Sequence, residues 1–431
     1  MVLHNDQTTG PRPAIAGPGG EPARAHGGPV VVVASILRAE GTTGVHTHVR
    51  ELQRACEARS IPVEVVTPFS AARLLSAPVM GLRLVIDQLS GSASVAWYYH
   101  WHELFLRRGL RRSLSRTAGA IVYAQGPREA RAALRARRDP GQQVVLVVHY
   151  VTSQADEWVD KLRLRRGGTV FRYLRRVEAT VIPRLDGIVY VSAAARASLL
   201  EWLPAAAPVR SAVIHDFVGD DDLPRPVGPR RDLVTIGGLI RVKNHRYLLE
   251  VLAAAKRCGH VYTLDIVGEG PLRRSLEGAA RTLDVGAQVR FLGARHDARR
   301  LLPGYRVYVH ASYRESLSLA VIEATAAGLP VVVADSGGVR EVCDEKHGAT
   351  FWPLDDPDRA AKVLIELMED EQSQARAAAA SAARFHEVFD ADVVVPRLLS
   401  FLFEPGSVAR RAPGRREHQA GSPAAVGAAS K

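Results

Sequence analysis

The fold is decided by residues 307–342, VYVHASYRESLSLAVIEATAAGLPVVVADSGGVREV. Val307–His310 is a short β-branched run of the kind that fills a parallel sheet covered on both faces. A loop then carries Glu315, a helix begins near Ser316–Ser318, and Glu323 falls two turns along it. The helix stops at Gly328, with Pro330 just beyond, because glycine accepts the left-handed cap and proline cannot continue the ladder. Val331–Ala334 is the next strand, and Gly337–Gly338 is the turn after it. A helix N-terminus offers unpaired N–H groups and the positive end of a dipole, which together seat phosphate oxygens. Glu315 and Glu323 would flank such a seat, placed to accept hydrogen bonds from sugar hydroxyls. Taken by itself, a pair of carboxylates at this spacing is better explained by a capped helix with an ordinary surface glutamate.

Strand and helix alternate on both sides of this stretch. Leu233–Ile236, Leu264–Val267 and Val289–Leu292 read as strands, with helices over Arg246–Lys256, Leu272–Thr282 and Ala298–Leu302. That rhythm specifies a parallel doubly wound sheet, whose ligands lie at the carboxyl ends of the strands. Arg359–Met368 and Gln372–Phe389 read as closing helices. Upstream, Val30–Ser35, a glycine-bearing loop, a helix from Val45 to Arg59 and Val63–Val66 open a second layer of the same kind. Val144–Val148 and Gly187–Val191 continue it. Residues 216–231, DFVGDDDLPRPVGPRR, interrupt the pattern with prolines, glycines and dense charge, as a hinge does. The expected organisation is a tail (1–28), a first Rossmann-like domain (29–215), the hinge (216–231) and a second Rossmann-like domain (232–389). A terminal helix (390–404) packing back on the first domain and a second tail (405–431) complete it, both tails reading as disordered.

The chain has 431 residues, 47% of them hydrophobic and 24% charged. This excludes a disordered protein and a multi-span membrane protein. The three cysteines, Cys56, Cys258 and Cys343, lie far apart, so neither a disulfide framework nor a Cys-x-x-Cys knuckle is available. A reducing, cytoplasmic compartment fits, and residues 1–28 hold no apolar run of the secretory kind. The balance is 57 basic against 45 acidic residues, a net charge of +12. His102–Arg176 alone holds 17 Arg and Lys against 6 Asp and Glu. Such an excess favours an anionic partner: a polyanion, an acidic membrane face or a phosphate-bearing ligand.

Four further clusters could carry chemistry. Gly237–Asn244, GGLIRVKN, follows a strand, and Lys243 there could neutralise a diphosphate; taken by itself, the segment is better explained by a structural turn. Gly41–His48, GTTGVHTH, joins a strand to a helix with small residues suited to an anion or a close-packed sugar. His46 and His48, two apart, face different sides of that helix and make a poor metal pair. His149 ends the strand VVLVVH, where a core histidine is the plain alternative. Trp97–Arg116, WYYHWHELFLRRGLRRSLSR, sets Leu106, Leu110 and Leu114 on one helical face beside Arg107, Arg108, Arg111 and Arg112. Such a helix can lie on an anionic membrane, or pack its leucines on the first domain and leave its arginines in water. Asp220–Asp222 contains an Asp-x-Asp, read here as a solvated acidic linker rather than a metal site.

Together these segments resemble the retaining family-4 glycosyltransferases (glycosyl transferases group 1), over roughly Val30 to Phe389. The most specific parts are VRFLG (289–293), residues 307–342, and HGATFWPLDDPDRAAKVL (347–364). The resemblance implies a GT-B fold, two Rossmann-like domains facing a cleft, and a nucleotide-diphosphate sugar bound mainly by the second domain. It implies that Glu323 holds the nucleotide ribose, that Glu315 contacts donor-sugar hydroxyls, and that the backbone N–H groups of Leu317, Ser318 and Leu319 face sugar and phosphate. Ser316 and Ser318 stand where the family often has glycine. GGLIRVKN looks like the family's G-R-L-x-x-x-K-G loop: Lys243 matches, the family arginine falls on Gly238, and Arg241 is the available substitute. GTTGVHTH resembles the first-domain glycine loop, with Gly44 and His48 as the matching residues and Thr43 in place of the first glycine. His149 resembles the acceptor-side histidine that bonds the donor sugar near the reacting carbon. IHDF (214–217) resembles an I-P-N-G turn, GEGP (268–271) a G-x-G-P turn near the nucleotide, and Gly337–Gly338 the turn that closes on the donor.

The reaction so implied is transfer of a sugar, with retention, to a polysaccharide intermediate, a lipid carrier or a natural product. Neither a cofactor nor a metal is expected. Fixed cations and N–H groups would stabilise the departing diphosphate, with Lys243, Glu315 and His149 as the catalytic set. No nucleic-acid motif accompanies the arginines. The expected location is cytoplasmic, with Trp97–Arg116 as a peripheral contact to the inner membrane face. The alternatives are another GT-B enzyme, such as a sugar-nucleotide epimerase or a phosphorylase, and a non-catalytic basic protein that binds phosphates or membranes.

Overall fold

Two six-stranded parallel sheets, one in each half of the chain, form the frame of the computed structural model. The structure describes residues 30–404, apart from 39–40, 42, 71–72, 220–222 and 224–228. Both expected tails and the Asp220–Asp222 segment therefore lie outside the described residues. The first sheet holds β1 (Val31–Ala34), β2 (Val63–Val66), β3 (Ile121–Ala124), β4 (Gln143–Val148), β5 (Gly187–Tyr190) and β6 (Ser211–Val213), in the order β2-β1-β3-β4-β5-β6. The second holds β7 (Arg231–Ile236), β8 (Leu264–Val267), β9 (Val289–Gly293), β10 (Tyr305–His310), β11 (Val331–Ala334) and β12 (Ala349–Trp352), in the order β12-β11-β10-β7-β8-β9. β1 and β11, both Val-Val-Val-Ala, are buried at all four positions. Strands covered on both faces need no polar alternation, so they read as continuous apolar runs.

The strand order reverses between β1 and β3 in the first sheet and between β7 and β10 in the second. Loops leaving the carboxyl ends at such a reversal diverge and open a crevice. Gly41–Gly44 leaves β1, the loop to Lys243 leaves β7, and the loop with Glu315 leaves β10.

The structure adds β3, β6 and β12 to the strands expected from sequence. It also trims the helix after Glu315 to Leu319–Ala326, with Ser318 as its N-cap. For Trp97–Arg116 it shows the leucine face packed on the first domain. That segment belongs to a helix, Gly91–Leu114, whose Leu106, Leu110 and Leu114 are buried in one cluster with β1, β3 and β4. Arg108, Arg111 and Arg112 stand exposed on the opposite side. The leucine face is spent on the core because a parallel sheet must be covered by helices on both sides. No helix among the described residues is long and apolar enough to cross a membrane.

The last described helix, Ala391–Phe403, returns to the first domain. Arg210 donates to the carbonyl of Phe401 at 2.8 Å, and Arg59 pairs with Asp392 at 3.0 Å. The linker is pinned nearby, with Val218 N donating to Phe389 O at 3.3 Å and Ala391 N to Val218 O at 3.1 Å.

Candidate functional site

The carboxyl ends of both sheets face one cleft of about 1020 Å³. Its second-domain wall carries Gly238, Lys243, Glu315, Ser316, Ser318, Leu319 and Glu323, and its first-domain wall carries Gly44 and His149. A side chain added at Gly44 would meet Leu319 at 3.8 Å, so the first-domain glycine loop directly faces the start of the helix Leu319–Ala326. Three of the expected residues stand elsewhere. Leu317 is buried in the core, His48 is buried behind the cleft, and Arg241 is exposed on a 3-10 turn off the cleft wall.

Lys243 and Glu315 meet. Lys243 Nζ donates to Glu315 Oε1 at 2.6 Å, and His310 Nε2 lies 3.0 Å from the same oxygen. They are 72 residues apart in sequence and adjacent in space because β7 pairs with β10. Burial alone would raise the Glu315 carboxyl, but the Lys243 ammonium and His310 override it and hold the group well below the usual carboxylate range. An ammonium has three protons, so Lys243 can serve Glu315 and a phosphate oxygen together. Glu323 contrasts with Glu315. Burial pushes it up to about 7, against the pull of Arg299 and Arg50.

Ser318 takes φ +87°, a left-handed conformation that strains any residue but glycine. Its Oγ is buried with no hydrogen-bond partner. Across the same loop, a Cβ on Gly338 would lie 1.9 Å from Ser316 O, so the Gly-Gly turn packs on the backbone of the motif. The GEGP turn does likewise, since a Cβ on Gly268 would lie 1.9 Å from Gly237 O.

Polar bridges span the two domains around this wall. Ser316 Oγ donates to His149 O at 2.6 Å, and Ser192 Oγ donates to Ser316 O. Arg314 Nη2 reaches Asp160 Oδ1 and Oδ2 at 3.0 and 2.7 Å. Glu341 of the second domain caps a first-domain helix, Ala193–Trp202, accepting from Ala193 N and Ala194 N at 2.8 and 2.9 Å. Such a capping carboxylate satisfies orphan N–H groups at the positive end of the helix.

Sequence reasoning missed Asp216. This linker residue is buried between His48 Nδ1 and His149 Nδ1, at 3.0 and 3.5 Å. Its one local signal was the carboxylate in IHDF, an I-P-N-G-like turn. Asp160, Arg299 and Arg314 also line the cleft unannounced by any motif.

Two parallel α/β domains facing one cleft, with a helix N-terminus and a lysine at the strand ends of the second, define a two-domain doubly wound architecture. Comparison with known proteins makes this specific. The family described as Glycosyltransferase Family 4 matches residues 42–221, and that described as Glycosyl transferases group 1 matches residues 224–384. The chain belongs to this group of GT-B glycosyltransferases. A putative glycosyltransferase, EpsF of Bacillus subtilis (strain 168), is 36% identical over 112 residues, 25% of this chain and 29% of that protein. The phosphatidyl-myo-inositol mannosyltransferase of Mycolicibacterium smegmatis is 31% identical over 137 residues, 31% of this chain and 34% of that protein. The chain thus spans about a third of the length of these curated relatives. Anabaena Alr3699/HepE, solved with UDP and glucose, has the same fold at a TM-score of 0.61 and 18% identity, covering 86% of this chain and 98% of that one.

Proposed function

We propose that the protein transfers a sugar from a nucleotide-diphosphate donor to an acceptor hydroxyl, with retention of anomeric configuration. The observation that carries this reading is the Lys243–Glu315 pair at the strand reversal of the second sheet, beside the free N-terminus of Leu319–Ala326 and facing Gly44. In this reading Lys243 and the N–H groups at Ser318–Leu319 take the diphosphate, Glu315 the donor-sugar hydroxyls and Glu323 the ribose. Cleavage of the sugar–phosphate bond puts positive charge on the anomeric carbon and negative charge on the leaving oxygens. Lys243 and the helix N-terminus meet the second charge with groups already in place, which lowers the barrier without reorganisation. No metal at the diphosphate is then needed.

Glu315 is not the nucleophile here, because its carboxylate is already engaged by Lys243 and His310. A front-face route, in which the leaving phosphate takes the acceptor proton, fits that arrangement. His149 stands on the acceptor side, and the acceptor enters along the first-domain wall. A peripheral membrane contact, in this reading, uses only the arginine side of the helix Gly91–Leu114. Co-sedimentation with vesicles containing anionic lipid tests it, and Arg111→Glu with Arg112→Glu should abolish it.

The test of the main reading is a thermal-shift panel of nucleotide diphosphates and their sugars, beginning with UDP, the ligand seen in the HepE structure. Turnover of the best donor with trial acceptors, and NMR of the product's anomeric proton, should follow. Stabilisation by no nucleotide diphosphate, or an inverted product, would refute the corresponding part.

A further inference from the structure

The first-domain wall of the cleft holds polar groups that the donor reading does not use. Glu129, on the helix Pro127–Ala136, and Gln125, just beyond β3, both line the cleft and are only 2% and 6% exposed. Each is half satisfied. Glu129 Oε1 accepts from Ile36 N at 3.1 Å, and Gln125 Oε1 lies 3.1 Å from His149 Nε2. Glu129 Oε2 and Gln125 Nε2 are buried with no hydrogen-bond partner. Polar atoms left so in an interior are costly unless a bound molecule completes them.

The neighbouring charges are already engaged. Arg128 pairs with Glu103 at 2.9 Å. Of the other carboxylates on this stretch of the wall, Asp156 pairs with Arg166 and Arg175, Glu157 with Lys161 and Asp160 with Arg314. A Cβ on Gly126 would stand 2.7 Å from Glu129 Oε2 and 2.8 Å from Gln154 Nε2, so a carboxyl and an amide converge beside a residue that brings no side chain of its own. Trp158 stands on the same wall, its Nε1 donating to Tyr99 OH at 2.6 Å and its ring edge-on to Tyr98 and Tyr99 at 5.9 Å. Aromatic surface with a few fixed polar groups suits a ring that is apolar on its C–H face and polar at its edge.

We propose that Glu129 and Gln125 form an acceptor subsite that reads the hydroxyls of a neutral sugar unit. This rests on the transfer reading and names its acceptor class, a glycosyl residue rather than an apolar aglycone or a phosphate. An apolar acceptor would leave both buried atoms unpaired, the penalty by which a site built for a hydroxyl rejects an analogue without one. Burial pushes Glu129 up to about 7, so both of its protonation states are populated at neutral pH. A hydroxyl can accept from one state and donate to the other, whereas a phosphate meets the ionised state as a like charge. The contact between Gln125 and His149 sets the subsite beside the residue assigned to the acceptor side.

The experiment gives the full chain the donor found by the thermal-shift panel and a set of acceptors. These are the methyl glycosides of glucose, galactose, mannose and N-acetylglucosamine, with 4-methylumbelliferone and a polyprenyl phosphate as sugar-free comparisons. At least one glycoside should be glycosylated, and the sugar-free acceptors about a hundredfold less efficiently or worse. Glu129→Gln keeps the bond from Ile36 N but replaces the unpaired oxygen by an N–H2 group that cannot accept, and should raise the acceptor KM about tenfold. Gly126→Ala, which sets a methyl group against the carboxyl and Gln154, should act in the same direction. Both variants should unfold cooperatively and keep the parental donor KM and the parental rate of donor hydrolysis without acceptor. Three results overturn the proposal while the transfer reading stands: donor hydrolysis with no glycoside glycosylated, transfer to a sugar-free acceptor at least as fast as to every glycoside, or a parental acceptor KM in both variants. A parent that neither binds nor hydrolyses a nucleotide sugar refutes the transfer reading itself, and the proposal with it.

Discussion

Lys243→Met is the most informative perturbation, because one ammonium is asked to do two things. It removes a cation 2.6 Å from a carboxylate that is 9% exposed, while the lysine itself is 24% exposed. The gross attraction at that distance is roughly 6 kcal/mol at an effective dielectric constant of about 20. Removing one partner of a buried pair costs about 3–5 kcal/mol, because the other is left charged in a poor solvent. Two features reduce this. His310 still contacts Glu315, and Glu315 can escape its charge by taking up a proton. The expected loss is therefore about 2–4 kcal/mol at neutral pH, smaller in acid, where protonation comes more easily.

The assay is urea unfolding of the parent, Lys243→Met, Glu315→Gln and the double variant. The double variant should recover most of the lost stability, since a neutral glutamine needs no cation, and the cycle should return a coupling of at least about 1.5 kcal/mol. Transfer should behave differently. Lys243→Met and the double variant should both lose about 10²–10³-fold in kcat, the scale of losing one preorganised charge donor at a developing anion. A single variant as stable as the parent would refute the burial argument. A double variant with parental kcat would refute the assignment of Lys243 to the leaving group.

Glu323, raised to about 7, should report in two ways. Its folded-state pKa lies above the unfolded one, so its contribution to stability is full below about 4.5 and is lost as pH rises to about 7, a change of about 2–4 kcal/mol; Glu323→Gln should remove that slope from urea midpoints measured between pH 5 and 8. If the ionised form receives the ribose, UDP affinity by calorimetry should rise with pH through the same window, and a flat profile would contradict the role. Ser318→Gly should stabilise the fold by about 1 kcal/mol, because it relieves the positive φ and removes an unpaired buried hydroxyl at the expense of a more flexible unfolded chain; a lower urea midpoint would count against the strain. Leu110→Ala, at a fully buried position, should cost about 2–5 kcal/mol, while Arg111→Ser stays within about 0.5 kcal/mol. Equal, small effects would reinstate the free leucine face.

What could be read from sequence was local. Val31–Ala34 and Val331–Ala334 announce themselves because a doubly covered strand needs an unbroken apolar run. Ala349–Trp352 and Ser211–Val213 do not, being short edge strands with too few residues to show a pattern. Glu315, Glu323 and Lys243 were identifiable from their positions after strands and at a helix start. That Lys243 touches Glu315 was not, since it depends on β7 pairing with β10 rather than with β9, and sheet order is a property of the whole domain. The same reason hides the residues that hold the two walls together. Asp160 and Arg314 belong to different domains, as do Ala193 and Glu341, and each looks like ordinary surface charge within its own segment. Asp216 is the extreme case, since a stretch rich in aspartate and proline reads as solvated linker until the first domain folds around its first residue. A charge without a visible local partner, at a point where the chain passes between domains, is therefore the place where sequence is least informative and an undetected site is most readily concealed. The burial of Asp216 is set by His48 and His149, which are far from it in sequence and close only once the first domain has folded.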